Sequence, residues 1–244
     1  MNWDAALARA DVLAARHRAA GEILKFARAV LRFQKEIYRK AKAANRDEAC
    51  RLDTGMLASF FPDFLQLAEK YGPPALAAQA QKMQDRQDWE DLLRACWKQE
   101  RGRQEVLARA ILQPYVQYLS ERWHVEVGVL GEAGGACPFC SRPPLLSIAN
   151  GKRMLVCSLC SYEWAFPDKE CPGCRAQPLE QHRHRAFPHL RVDGCPSCRK
   201  YLKAVDLSRD PVAVPVVDEM ASPELDRLAR DRGFTKFERN LAGQ

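Results

Sequence analysis

The stretch ACPFCSRPPLLSIANGKRMLVCSLCSYEW, residues 136–164, contains two Cys-x-x-Cys pairs on either side of a segment typical of a β-hairpin. Two residues between the cysteines allow a tight turn to direct both sulfurs at one point, so one pair supplies half of a tetrahedral site. Asn150-Gly151 between two apolar runs predicts the hairpin, because both residues tolerate the positive φ of a type I′ turn. We therefore expect the second pair to return beside the first.

Two further Cys-x-x-Cys pairs follow, and the 20 residues between Cys174 and Cys195 also predict a hairpin. Eight of the ten cysteines thus fall within the 62 residues from Cys137 to Cys198. The predicted metal ligands are Cys137, Cys140, Cys157, Cys160, Cys171, Cys174, Cys195 and Cys198. Two ions, each held by four thiolates, would use all eight.

The spacing permits two ways of sharing the ions. In a tandem arrangement the first pair joins the second and the third joins the fourth; in a cross-brace the first joins the third and the second joins the fourth. We favour the tandem arrangement, because each hairpin then lies inside one module and residues 162–166 and 201–205 can add a third strand to each. The predicted sites are Cys137/Cys140/Cys157/Cys160 and Cys171/Cys174/Cys195/Cys198.

Sets of four thiolates indicate structural or redox sites, since no position stays open for water or substrate. Zinc and iron both suit a tetrahedron of sulfur, and the sequence does not distinguish them. Dithiol redox chemistry would need only one pair on a thioredoxin-like unit, which the sequence does not show. We therefore expect two ions, iron or zinc, and no enzymatic activity.

The chain has 244 residues, of which 47% are hydrophobic, enough for a sizeable core without cross-links. It contains no apolar run near the roughly 18 residues of a membrane span, and its first residues mix charges throughout. We therefore expect a cytoplasmic protein without membrane insertion, where clustered cysteines are more often metal ligands than disulfides. The net charge of +7 suggests an acidic partner, but eight thiolates with two divalent ions remove four units and leave +3, so nucleic acid is not the expected partner.

Helical periodicity dominates the first half of the chain. Residues 21–43 place apolar side chains on one stripe, and Pro62 opens a further helix that Gly72 and two prolines end. Further helices are predicted at 75–85, 88–100 and 103–122, the last of them kinked or split at Pro114. The predicted fold class is α+β. Its predicted parts are a helical domain at 1–131, metal modules at 132–166 and 167–210, and a helical tail at 211–244.

The four cysteine motifs in order, CPFCSRPP, CSLCSYEW, CPGC and CPSCRKYLK, followed by LDRLARDRGF, resemble the FdhE family of formate dehydrogenase accessory proteins. The segment RADVLAARHRAAGEILKFARAVLRFQKEIY is similar to the family's helical start. The resemblance implies a helical domain followed by two rubredoxin-like modules. It also implies a cytoplasmic, non-catalytic protein that binds the catalytic subunit of a respiratory formate dehydrogenase during its maturation.

One feature departs from rubredoxin-type turns, which usually carry glycine after the second cysteine. The corresponding residues are Ser141, Ser161, Arg175 and Arg199. A left-handed backbone is unfavourable for such residues. We therefore expect the coordination to be kept while the turn geometry is relaxed.

Several other residues could also have a functional role. We expect the histidines His182, His184 and His189 to be surface residues, because the cysteines already fill two tetrahedra. Cys50 and Cys96 are expected to be small buried side chains and Trp164 to pack beside a metal site. The basic clusters Arg183/Arg185/Arg191 and Arg199/Lys200/Lys203 resemble a phosphate-binding face, but solvation and screening of the thiolate clusters explain them better.

The leading functional hypothesis is a maturation factor that binds a formate dehydrogenase subunit through a surface shaped by its two metal sites. The alternatives are a nucleic-acid-binding zinc ribbon, which would show a steep salt dependence, and a rubredoxin-like electron carrier, which would need iron.

Overall fold

The computed structural model describes residues 1–17, 20–44, 52–100, 105–122 and 135–243. The predicted boundary between residues 131 and 132 therefore lies outside the described residues, as does Cys50. The N-terminal half is helical, as the periodicity predicted. Its helices are α1 (Trp3–Arg16), α2 (Gly21–Ala44), α3 (Thr54–Ala58), α4 (Phe61–Tyr71), α5 (Pro74–Gln81), α6 (Trp89–Trp97) and α7 (Glu105–Arg122).

The long helices α2 and α7 form the centre of the helical part. The apolar stripe of α2 is buried at Ala27, Val30 and Ile37. Helix α7 continues through Pro114, so the predicted split does not occur. The core around these helices extends into the cysteine-rich half, where it includes Leu155 and Trp164. The helical part and the cysteine-rich half therefore share apolar contacts.

The cysteine-rich half forms a seven-stranded sheet. Its strands are β1 (Pro144–Asn150), β2 (Lys152–Cys157), β3 (Glu163–Ala165), β4 (Glu180–Arg183), β5 (Leu190–Gly194), β6 (Lys200–Asp206) and β7 (Thr235–Lys236). The spatial order is β3-β2-β1-β6-β5-β4, with β7 beside β6. Both predicted hairpins and both predicted third strands are present.

A parallel pair of strands, β1 with β6, joins the two predicted three-stranded units into one sheet; Leu146 lies opposite Lys203 in this register. Each unit is otherwise antiparallel. Because β1 and β6 point the same way, the beginnings of both strands lie at one end of the sheet. All four Cys-x-x-Cys turns come to this end. The domain boundaries at 132–166 and 167–210 stay a prediction.

The turn between β1 and β2 is tighter than predicted. Asn150 pairs with Lys152, and Gly151 alone at the turn has a positive φ, of 73°. The prediction of a type I′ turn, which needs two residues with positive φ, is therefore wrong, although the predicted hairpin is confirmed. A glycine in this conformation carries little strain.

The C-terminal tail covers the sheet and the first helices. It contains α8 (Pro215–Met220) and α9 (Pro223–Asp231) before β7. Helix α8 packs against α1 and α2, with Val217 and Ala221 in their core cluster. Helix α9 places Leu225 and Ala229 in a second cluster with β5 and β6. These contacts confirm an α+β fold with a helical start, a sheet carrying two cysteine clusters, and short helices at the end.

Buried ion pairs fix the tail in place. Lys203 on β6 is fully buried, and its Nζ lies 2.6 Å from Asp226 Oδ2 and 3.1 Å from Glu219 Oε1. Lys236 on β7 contacts the same two carboxylates. Burial alone would raise the pKa of Glu219, but attraction to Lys203 and Lys236 outweighs it and lowers that pKa below its ordinary value.

A second buried ion pair joins α1 to the tail. Arg9 Nε donates to Asp218 Oδ2 at 2.9 Å, and Arg9 Nη2 donates to Asp210 at 2.6 Å. Asp218 also contacts the ring of His189 at 2.8 Å.

Within the described ranges, none of the helices has the length and apolar character needed to cross a membrane.

Candidate metal centres

The eight predicted cysteines lie in two groups of four. The first group contains Cys137, Cys140, Cys157 and Cys160, and the second contains Cys171, Cys174, Cys195 and Cys198. Within each group, the sulfurs all lie within 4.8 Å of one another. The structure therefore has the tandem arrangement and not the cross-brace, as the hairpins predicted.

The sulfur positions fit a tetrahedral ion. In the first group, Cys137 and Cys160 have sulfurs 3.5 Å apart, and Cys140 and Cys157 have sulfurs 3.3 Å apart. In the second group the pairs Cys171–Cys198 and Cys174–Cys195 are each separated by 3.5 Å. The edge of a tetrahedron with metal–sulfur distances of about 2.3 Å is about 3.8 Å. Each group could therefore hold an ion that prefers four sulfur ligands, such as zinc or iron.

The hydrogen bonds of each Cys-x-x-Cys turn direct its sulfurs. In the third turn, the N–H of Arg175 donates to the carbonyl of Cys171 at 2.9 Å, and the N–H of Cys171 donates to Ala176. The fourth turn repeats the pattern, with Arg199 donating to Cys195 at 3.0 Å. Such turns leave backbone N–H groups free to face sulfur, which disperses the charge of a thiolate.

Backbone N–H groups donate to sulfur in both groups. Leu159 N lies 3.3 Å from Cys157 Sγ, and Gly173 N lies 3.4 Å from Cys171 Sγ. Cys198 N lies 3.5 Å from Cys195 Sγ. Donors of this kind stabilise the thiolate form that a metal requires.

All four residues that follow the second cysteine of a turn adopt a left-handed backbone. Their φ values are 58° at Ser141, 55° at Ser161, 64° at Arg175 and 58° at Arg199. The predicted relaxation of the turns is therefore wrong. The physical reason is one of magnitude: a left-handed residue costs about 1–2 kcal/mol, whereas an ion held by four thiolates would contribute about 10 kcal/mol or more.

Replacement of Ser161 by glycine tests this strain. Ser161→Gly is expected to raise the free energy of unfolding of the metal-bound protein by about 0.5–1 kcal/mol, because glycine removes the left-handed penalty but gains unfolded-state entropy. Ser161→Val is expected to lower that free energy by about 2 kcal/mol or more, because a β-branched side chain disfavours positive φ. Urea unfolding of both variants measures the difference. A destabilising Ser161→Gly would contradict the strained turn.

The thiols influence each other strongly. Hydrogen bonds from the thiols of Cys140, Cys157 and Cys160 lower the pKa of Cys137 far below its ordinary value. Burial raises the pKa of Cys171 to about 12. Burial also opposes ionisation of Cys195, but hydrogen bonds from the N–H groups of Cys198 and Ser197 and from the thiol of Cys174 together outweigh it and lower the pKa of Cys195 to about 7. Thiols this close do not all ionise unless a cation shares their charge.

The two groups differ in their surroundings. Cys137, Cys157 and Cys160 of the first group are buried and belong to the core that the helices share. In the second group, Cys174 is exposed and Cys198 is half-buried. The two groups are nevertheless close. Gly135, just before the first turn, packs tightly against Pro172 in the third turn: a Cβ atom added to Gly135 would lie 2.0 Å from the Pro172 carbonyl oxygen.

The arginines that follow the third and fourth turns each lie over an aromatic ring. The Arg175 guanidinium lies 5.2 Å from the ring centre of Phe166, and Arg199 lies 4.3 Å from that of Phe234. Arg175 also pairs with Glu170 at 2.8 Å. Screening of the thiolate clusters by the basic residues stays a prediction.

The other predicted residues have mixed outcomes. Cys96 is buried, as expected, and Trp164 is buried in the core that contains the first group. His189 is also buried, so its assignment to the surface is wrong; its ring contacts Asp218 instead. The expectation of a solvated basic cluster is wrong for Lys203, which is fully buried with Glu219 and Asp226.

A third cluster was missed by sequence reasoning. His189, Asp210 and Asp218 place potential ligand atoms within 4.8 Å of one another. Arg9 already supplies a cation there, and the chain separation of 209 residues between Arg9 and Asp218 leaves no local sequence signal. Among the described clusters, the two cysteine groups alone have four soft donors around one point.

Comparisons with known proteins agree with the resemblance found from the motifs. Residues 170–242 match the family model described as FdhE, C-terminal domain. The "Protein FdhE homolog" of Aquifex aeolicus is 27% identical over 207 residues, which are 77% of this chain and 70% of that protein. The Pseudomonas aeruginosa homolog is 30% identical over 199 residues, which are 70% of this chain and 62% of that protein.

Other relatives match over a shorter range. The Pseudomonas putida homolog is 36% identical over 118 residues, so the matched part spans 37% of that protein. The fold is similar to "The crystal structure of the FdhE protein from Pseudomonas aeruginosa", with a TM-score of 0.67 and 22% identity over 98% of this chain and 94% of that chain. The resemblance to the FdhE family is confirmed.

Proposed function

We propose that this chain, which resembles FdhE proteins over most of its length and carries their C-terminal domain at residues 170–242, is a maturation factor for a formate dehydrogenase. In this proposal it binds the catalytic subunit of a respiratory formate dehydrogenase and supports its assembly or activation. The observation that carries the proposal is the pair of four-cysteine groups at one end of a single sheet, within a chain similar to FdhE proteins.

The geometry supports a binding role better than a catalytic one. We propose that each group holds one ion, iron or zinc, through four thiolates. An ion with four protein ligands has no open position at which to activate water or substrate. The ion would supply folding free energy of about 10 kcal/mol or more per site, and iron would add a one-electron couple.

Folding and binding are linked in this proposal. The first group belongs to the same core as α2 and α7, so its ion would stabilise the contact between the sheet and the helices. The result is a rigid surface made from both parts of the chain. A rigid surface binds a partner with little loss of conformational entropy. The clustered thiols fit a reducing compartment, and a cytoplasmic location is part of the proposal.

A pull-down from the native host tests the partner. The tagged chain is expected to recover a formate dehydrogenase catalytic subunit, and elemental analysis of the same preparation is expected to give two ions per chain. Cys195→Ser should lose one ion and recover the subunit several-fold less, because the turn that presents the second group loses its ligand. Mass spectrometry and metal analysis provide the two readouts.

Cys96→Ala is the matched control, since it removes a buried cysteine outside both groups. It should retain both ions and the partner. Recovery of nucleic acid with a steep salt dependence, and no dehydrogenase subunit, would contradict the proposal.

A further inference from the structure

The first cysteine group lies against the helical part. Gln113 on α7 donates to the carbonyl of Ser158 at 2.8 Å, and Ser120 on the same helix donates to that of Cys160 at 3.2 Å. Cys160 is 0% exposed, and Leu159 beside it is 1% exposed. In this group Cys137, Cys157 and Cys160 are buried and Cys140 is half-buried. Access to the three buried sulfurs therefore requires the sheet and α7 to separate.

The second cysteine group reaches the surface. Cys174 is exposed and Cys198 is half-buried, while Cys171 and Cys195 are buried. Around them, Gly173, Arg175, Pro196 and Ser197 are exposed. Cys174 and Cys198 are thus the ligands of the second group that lie nearer to solvent.

Access to sulfur controls how fast a closed four-thiolate site exchanges its ion. The ion leaves when a competing ligand, a proton or an electrophile reaches one of the thiolates. A buried site must first open locally, and the free energy of opening increases with the apolar contacts that break. Three cysteines of the first group are buried in a core shared with two long helices, and Cys140 is half-buried. In the second group Cys174 is exposed and Cys198 is half-buried, so this group needs less opening.

We propose that the two sites have different roles. The first group retains its ion and holds the sheet against the helices, while the second is an exchange site that takes up and releases a divalent ion with a preference for sulfur. Cys174 and Cys198 are the sulfurs that incoming ligands meet first. The inference rests on the proposed occupancy of both groups, and it does not depend on which protein is the partner.

Chelator competition on the full chain tests the inference. The protein, loaded with two equivalents of zinc, is mixed with an excess of the chromogenic chelator 4-(2-pyridylazo)resorcinol. We expect two phases of one equivalent each, with rates that differ by roughly ten-fold or more because only the slow site must open first. A single phase that releases both ions would overturn the exchange site.

Alkylation during release identifies the site without any substitution. N-ethylmaleimide is added with the chelator, the reaction is stopped after the fast phase, and the labelled peptides are mapped. We expect label at Cys174 and Cys198 and none at Cys137, Cys140, Cys157 or Cys160. Label at the first group during the fast phase would overturn the assignment. A chain that binds fewer than two zinc ions would instead refute the proposed metal sites themselves.

Gln113→Ala tests whether contact with α7 limits the slow phase of zinc release. Loss of the hydrogen bond to Ser158 is expected to speed the slow phase by about five-fold and to leave the fast phase unchanged. Ser197→Ala, at an exposed position of the second group, is the matched control and should leave the slow phase unaltered. Acceleration of the fast phase by Gln113→Ala would contradict the separation of the two sites.

Discussion

Cys137→Ser is expected to reduce the metal content from two ions per chain to one and to destabilise the helical part together with the sheet. Three thiolates hold an ion more weakly than four, and a structural site contributes about 10 kcal/mol or more, which exceeds the margin of an ordinary domain. Because Cys137 belongs to the core that contains Phe26, Ile111 and Val116, loss of its ion also exposes the helices.

Cys195→Ser is expected to behave differently, because its group does not share that core. It should also lose one ion, but the helices should keep most of their ellipticity and their cooperative unfolding. Circular dichroism at 222 nm during thermal unfolding, with metal analysis of the same samples, measures both effects. Cys96→Ala controls for loss of a buried thiol and should keep both ions. Equal loss of helical structure in the two serine variants would contradict the unequal roles of the groups.

Lys203→Met is expected to lower the free energy of unfolding by about 3–5 kcal/mol, because it leaves a buried carboxylate without its cation. Lys203 and Lys236 balance Glu219 and Asp226, and all four side chains are almost completely buried. Lys203 also donates to the carbonyl of Glu219 at 2.5 Å and to that of Ser222 at 3.2 Å. Methionine fills the volume but replaces none of these bonds.

Urea unfolding compares Lys203→Met with Lys152→Met, an exposed lysine on β2. The control should change the free energy of unfolding by less than about 0.5 kcal/mol. Addition of Glu219→Gln to Lys203→Met restores charge balance and should recover part of the loss, which a double-mutant cycle quantifies. If Lys203→Met were as stable as the control, the buried charge network would not hold the tail to the sheet.

The cysteine groups could be predicted because their signals are local. Each Cys-x-x-Cys pair and each hairpin lies within a few tens of residues, so spacing and turn chemistry were enough to choose the tandem arrangement. The helices of the first half were predicted by periodicity for the same reason. The FdhE resemblance added the order of these parts, and the comparisons confirm it.

The contacts that join these parts could not be predicted, because they connect distant residues. The parallel pairing of β1 with β6 merges two units into one sheet. The sequence around each strand predicts only its antiparallel partner within its own unit. Lys203 lies two residues after Tyr201 in a basic segment, and only the tail, which supplies Glu219 and Asp226, makes it a core residue. Arg9 and Asp218 are 209 residues apart.

The turn geometry was mispredicted for a different reason. Residue preferences at Ser141 and Arg175 amount to about 1–2 kcal/mol each, and the prediction gave them more weight than the geometry of the cysteines. Both residues adopt positive φ, with 58° at Ser141 and 64° at Arg175. A local preference of this size does not decide a conformation that four sulfur positions require.

X-ray absorption spectroscopy at the metal edge, on protein purified anaerobically with its native ions, tests the central claim most directly. We expect a first shell of four sulfurs per ion at about 2.3 Å, with no oxygen or nitrogen ligand, and two ions per chain. A shell containing oxygen or nitrogen, or a folded chain without bound metal, would contradict the claim that these eight cysteines hold two ions.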